Sequence, residues 1–124
     1  MERVKSFELK GNEYSVEFPN IGQLIDIETR KAMLSKGQYG GILESFLLSG
    51  LNALECVDAI AFFDVCCPKI KEDLKVKSYL DLDPMDFLQI YSVYQEEILP
   101  WITPWLEEFN KAFDTFRKNK KKKD

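Results

Sequence analysis

The run from Phe7 to Phe18 constrains the fold more than any other part of the chain. Phe7 and Leu9 alternate with Glu8 and Lys10, and Tyr14, Val16 and Phe18 alternate with Ser15 and Glu17. A period of two places each apolar set on one face of a strand. Gly11-Asn12 separates the two runs and can supply the positive φ angles of a primed two-residue turn. The spacing predicts a β-hairpin pairing Lys10 with Glu13, Leu9 with Tyr14 and Phe7 with Val16. All the apolar side chains then share a face, and opposite charges meet beside the turn. A lone hairpin is marginal in water, so the rest of the chain must cover that face.

The next segments read as helices. Pro19 stops the second strand, and Asn20 with Gln23 has the pattern of a capping box. Ile21, Leu24, Ile25 and Ile27 recur at helical spacing as far as Met33 and Leu34. Gly37, Gly40 and Gly41 then predict a loop over residues 36–41, without the lysine-serine/threonine ending of a P-loop or the spacing of a dinucleotide site. Residues 42–67 are the expected core. A short helix breaks near Ser49-Gly50, and a longer one starts with a second capping box, Asn52 with Glu55. Leu54, Val57, Ile60, Ala61 and Val65 give that helix a wide apolar stripe. Pro68 ends it, and residues 69–77 suggest a helical turn. Asp83 as N-cap, Pro84 at the first helical position and Asp86 in the first turn mark the start of the last helical region.

That region, residues 84–118, holds Phe87, Tyr91, Tyr94, Trp101, Trp105, Phe109, Phe113 and Phe116, eight of the 16 aromatic residues. Pro100 is expected to interrupt or kink it, lacking an N–H and crowding the preceding turn. Pro104 fits as the first residue of a new helix. From there Trp105, Phe109, Ala112, Phe113 and Phe116 repeat every three or four residues and form an aromatic face. Such a face can be core, docked on the hairpin or the central helices, which is the leading expectation for Trp101 and Trp105. For Phe109 to Phe116 a partner-binding face is an equal expectation, and the candidate partner-binding residues are Trp101, Trp105, Phe109, Phe113 and Phe116. Each ring there could bury ~150–250 Å² on another polypeptide. The fold expected is α+β, with an N-terminal two-stranded β-hairpin packed on a mostly α-helical bundle of four to five helices.

Composition narrows the function. The 124 residues suit one domain, and 45% hydrophobic with 31% charged residues is too apolar for a disordered chain. Net charge is −4, unevenly placed. Arg117, Lys118, Lys120, Lys121, Lys122 and Lys123 supply six of the 17 bases, so residues 1–116 hold 11 bases against 20 acids, a net of −9. We therefore expect a single hairpin-plus-helical domain over residues 1–116 and a basic, disordered tail over 117–124. That tail serves solubility or touches a polyanion. The acidic body repels phosphates, confining nucleic acid to a salt-screened contact with the tail, so it is not expected as a main partner.

With no histidine, the commonest general base, His metal sites and Ser-His or Cys-His pairs are excluded. Cys56, Cys66 and Cys67 form neither a disulfide framework nor a Cys-x-x-Cys motif, and read as buried free thiols in a reducing compartment. The pairs Glu96-Glu97 and Glu107-Glu108 are adjacent on a helix and point about 100° apart. Asp81, Asp83 and Asp86 do not match an EF-hand loop. No catalytic residue, cofactor or metal is expected. The longest uncharged stretch in the middle, residues 45–54, is about half a membrane span. The first five residues, Met-Glu-Arg-Val-Lys, lack a signal peptide's apolar core. A soluble intracellular domain is the expectation.

The hairpin of the form apolar-x-apolar-x-Gly-x-x-Tyr-x-Val-x-Phe, running from Ser6 into the helix that contains Glu28, resembles the opening of tail assembly chaperones of tailed bacteriophages. The resemblance covers about the first 35 residues. It implies a non-enzymatic protein of the host cell cytoplasm that coats the tape-measure protein, recruits tail tube subunits, or does both, and it leaves a homo-oligomer open. In that family a longer form often arises by ribosomal frameshifting, and Lys120 to Lys123 would be encoded by a suitable slippery run. The alternatives are a structural virion component, such as an adaptor or ring subunit, and a nucleic-acid-binding accessory protein acting through the lysine tail.

Overall fold

Lys10 and Gly11 turn the chain back on itself. The computed structural model describes residues 2–36, 46–47 and 51–123, with the side chains of residues 2–36 and 55–120. Strand β1 is Val4–Leu9 and β2 is Asn12–Glu17, paired antiparallel. The hairpin stands where the alternation places it, but its register differs from the expected pairing. Leu9 faces Asn12, Phe7 faces Tyr14 and Lys5 faces Val16. The turn is the reason. Lys10 and Gly11 have φ of 51° and 81°, the two positive values of a type I′ turn, which favours glycine at its second central position. A slip of two residues preserves parity, so Phe7, Leu9, Tyr14 and Val16 stay on the buried face. It also stacks Phe7 on Tyr14, ring centroids 5.8 Å apart, and leaves Lys10 to form an ion pair with Asp86 instead of with Glu13.

Gly11→Ala isolates the backbone term, because a Cβ there would meet nothing within 4 Å. The variant is expected to lose about 1–2 kcal/mol from the left-handed conformation alone. Urea denaturation checks it; an unchanged midpoint would rule out the turn as described.

Helix α1, Ile21–Leu34, begins with the expected capping box. The Asn20 side chain accepts from the Gln23 N–H at 2.9 Å, and the Gln23 side chain accepts from the Asn20 N–H at 3.0 Å. Beyond it, the predicted loop glycines Gly37, Gly40 and Gly41 lie outside the described residues. The short helix expected in the next stretch is corrected at Phe46–Leu47. These residues form a strand, β3, paired antiparallel with β4, Leu51–Asn52. Helical spacing cannot separate a short apolar run in a helix from one in a strand. The break at Ser49-Gly50, the Asn52 cap and Leu54 concern positions or side chains outside the described residues.

Helix α2, Ala53–Cys66, is the centre of the fold. Cys56, Ala59, Ala61, Phe62 and Phe63 are buried, and Val57, Ile60 and Val65 are half-buried, so neighbours cover it on most sides. It packs against α1, with Arg30–Asp64 and Lys31–Asp58 ion pairs at 3.3 and 3.4 Å along the seam. Such partly exposed pairs set register more than they stabilise. After Pro68 comes α3, Lys69–Asp73, whose Ile70 is fully buried. A single 3₁₀ turn, Tyr79–Asp81, comes next. Helix α4, Pro84–Val93, starts as expected, with the Asp83 side chain accepting from the Met85 N–H.

Of the two outcomes expected at Pro100, interruption of the last helical region does not occur. Helix α4 passes into a π-helical turn, Tyr94–Ile98, and then into α5, Leu99–Lys123, without a break. In the wider turn the Leu99 N–H bonds to the Tyr94 carbonyl five residues back, which gives the backbone room for the ring of Pro100. Pro104 lies inside α5 instead of starting a helix. The carbonyl its missing N–H would have bonded belongs to Pro100, and both prolines are exposed, so water can satisfy that group. The backbone of α5 is helical as far as Lys123. Lysine is a good helix former and its charge suits a helix C-terminus.

The core joins hairpin and helices. Phe63 meets Phe7, Phe62 and Tyr94, with centroids 5.8, 5.5 and 6.2 Å away. Ile70, Ile90 and Ile98 are fully buried around it. The molecule is α+β: a two-stranded hairpin laid on helices, as its sequence predicts.

Candidate partner-binding surface

Helix α5 changes character along its length. Its first turns are anchored. Trp101 is half-buried beside Ile102, which is buried. The indole N–H groups of Trp101 and Trp105 both donate to the Glu2 carbonyl, at 2.7 and 3.2 Å. The Phe18 ring lies 6.0 Å from Trp101 and 5.1 Å from Trp105, and the Arg3 guanidinium sits 5.3 Å over Trp105. These two tryptophans therefore clamp the edge of the hairpin to the helix. Burying most of each ring while the N–H finds an acceptor is how indoles are accommodated at such junctions.

Past Trp105 the helix leaves the body. Every residue from Leu106 to Lys120 is exposed. Leu106, Phe109, Phe113 and Phe116 show 37, 61, 49 and 63% of their surface to solvent. They recur at intervals of three, four and three residues, on one stripe of the helix. Phe109 and Phe113 stack, centroids 6.4 Å apart and nearly parallel, and the Arg117 guanidinium lies 5.7 Å over Phe113. Single exposed apolar side chains are ordinary; a contiguous exposed aromatic stripe marks an interaction surface. At its base an apolar groove of about 510 Å³ runs between hairpin, α1 and α5, lined by Phe18, Leu24, Trp105, Leu106 and Phe109 with Arg3 at its edge.

Of the five aromatic residues the sequence proposes for partner binding, Trp101 and Trp105 thus lie against the hairpin, and Phe109, Phe113 and Phe116 lie free. Leu106 belongs with the latter three. Its three-four-three spacing was visible in the sequence. Leu24 and Arg3 carried no such signal, because only folding brings them to the groove. Arg117, Lys118 and Lys120 extend from the same helix into solvent; the side chains of Lys121, Lys122 and Lys123 lie outside the described residues.

Burial pushes the Cys66 thiol up to about 12 and also raises Cys56 and Cys67, the reverse of what a nucleophilic cysteine needs. Among the described residues no three Asp, Glu or Cys side chains are grouped to hold a metal ion. No helix there is long and apolar enough to cross a membrane. Comparison with protein-family models, curated proteins and solved structures finds no match.

Proposed function

We propose that this protein is a bacteriophage tail assembly chaperone. It acts without catalysis in the host cell cytoplasm, holding a long helical client, the tape-measure protein, tail tube subunits or both, until assembly. The observation that carries the reading is the projecting stripe of Leu106, Phe109, Phe113 and Phe116. An amphipathic client helix can lie along it and end in the groove beside Trp105. The acidic body, net −9 over residues 1–116, supplies the solubility that a protein displaying such a stripe requires. The resemblance of the hairpin-to-helix opening of the chain to that family is the other support for the reading.

Co-expression with the phage's tape-measure polypeptide tests the proposal. The native chain is expected to keep the client soluble, and Phe109→Asp/Phe113→Asp to leave it in the pellet. Because neither ring is in the core, the variant's own stability is expected to stay within about 0.5 kcal/mol of the native value. A client equally soluble with either protein would refute the reading. A chaperone is also absent from finished particles, so stoichiometric recovery of the chain from purified virions by mass spectrometry would point to a structural component instead.

A further inference from the structure

We propose that the client helix received by the exposed face of α5 is acidic at both ends of its apolar seam, which rests on the reading that this face binds a client.

The seam sets the kind of partner. Leu106, Phe109, Phe113 and Phe116 are exposed and fall within about 80° around the helix. Ile102, one turn before Leu106 on the same line, is buried in the core. The seam is thus the core-facing line of α5 carried past the end of the core. A narrow line with apolar residues alternately three and four apart is what a second helix packs on. A bilayer takes up the whole apolar half of a helix, more than this line offers.

Charge then selects among helices. Arg117 and Lys120 stand four residues beyond Phe113 and Phe116, which puts them on the seam itself, and the Arg117 guanidinium lies 5.7 Å over Phe113. Arg3 stands at the other end, on the edge of the groove and 5.3 Å over Trp105. Lys5, Lys10, Arg30, Lys31 and Lys71 in the body are paired with carboxylates. Among the described residues no carboxylate forms an ion pair with Arg3, Arg117 or Lys120. The acids of the projecting part point elsewhere. Glu107, Glu108 and Asp114 lie more than about 100° from the middle of the seam, and Glu108, at the rim of the groove, is paired with Lys111 at 3.7 Å.

The face therefore offers positive charge at its two ends, apolar surface between them and no acid on the seam. Its complement is an apolar line with a carboxylate at each end. Leu106 and Lys120 are 14 residues apart, about 21 Å along the axis, so the partner helix runs for about four turns. An evenly charged polyanion such as duplex DNA does not match, because no base lies on the seam between Leu106 and Phe116. The seam is short of the roughly 1,200–2,000 Å² of a tight complex, so micromolar affinity is expected.

Two synthetic helical peptides of equal length, sharing one leucine seam and carrying glutamates or lysines at both ends, test this against the full chain by isothermal titration. At low salt the glutamate peptide is expected to bind about tenfold tighter or more, because exchanging the ends turns three weak attractions into three repulsions. High salt should close the gap. Arg117→Glu/Lys120→Glu should reverse the preference with an unchanged thermal melt, since both side chains are exposed. Equal binding of the two peptides, or a preference that the charge variant leaves in place, would overturn the proposed charge and leave the face a helix site. Binding of neither peptide would overturn both the charge and the use of this face for a client. Retention of the chain on phosphatidylserine vesicles that the glutamate peptide does not compete away would overturn the proposal in favour of a membrane.

Discussion

Phe63→Ala is expected to destabilise the protein by about 3–5 kcal/mol, the range for emptying a fully buried phenylalanine site. The Phe63 ring is completely excluded from water and touches the hairpin through Phe7, its own helix through Phe62, and the π-helical turn through Tyr94. Three separately formed elements lose a contact at once, and a rigid hairpin and two helices cannot collapse together into the space left. A domain's whole stability is about 5–15 kcal/mol, so the variant should lose a large fraction of it. Urea unfolding followed by tryptophan fluorescence measures the change. A loss below about 1 kcal/mol would mean that the hairpin does not sit on α2 as described.

Alkali should unfold the native protein. The ordinary tyrosine value is 10.0, and among the described residues four tyrosines are raised above it. Burial and the hydrogen bond from its hydroxyl to Asp73, at 2.7 Å, push Tyr14 up to about 12. A hydrogen bond to Glu55, then burial, does the same for Tyr91, to about 12. Burial raises Tyr79, whose hydroxyl donates to the Cys67 carbonyl, and Tyr94, held between Phe62 and Phe63. The Cys66 thiol moves up from 9.0 to about 12 for the same reason. Above pH 9 the unfolded chain releases these protons while the folded chain keeps them, so stability falls as pH rises. The contribution is complete below about pH 9 and is lost progressively up to about pH 12. Each fully shifted group steepens the fall by about 1.4 kcal/mol per pH unit. The urea midpoint should be level between pH 7 and about 8.5 and drop steeply above about 9.5. Tyr14→Phe should make the drop shallower. A midpoint unchanged at pH 11 would show that these hydroxyls are already in water.

Much of the fold comes from local rules. The hairpin faces, the capping box at Asn20, the stop at Pro68 and the start at Asp83-Pro84 each depend on residues a few positions apart. Their causes are alternation, a side chain reaching the next turn, a missing N–H and a preset φ. The amphipathic character of α5 is local in the same way, so its aromatic stripe could be found, though not its division into an anchored and a free part.

Three features could not be read locally. Two hairpin registers share the same parity, and the alternation fits both. Packing of Phe7 on Tyr14 and the reach of Lys10 to Asp86, across the fold, go with the one adopted. Pro100 forbids an ordinary α-helical hydrogen bond, but the π-helical turn ahead of it lets the helix continue while Tyr94 and Ile98 dock in the core. Trp101 and Trp105 look like Phe109 and Phe113 in periodicity, yet the hairpin edge reaches only the tryptophans.

The amino-acid order alone thus determined the N-terminal hairpin and where α1 and α4 begin, because those choices rest on neighbours along the chain. Tertiary structure alone decided which aromatic rings are held inside and which stand free in water. That outcome depends on where the hairpin comes to rest against a helix about a hundred positions away, a distance over which sequence periodicity carries no information.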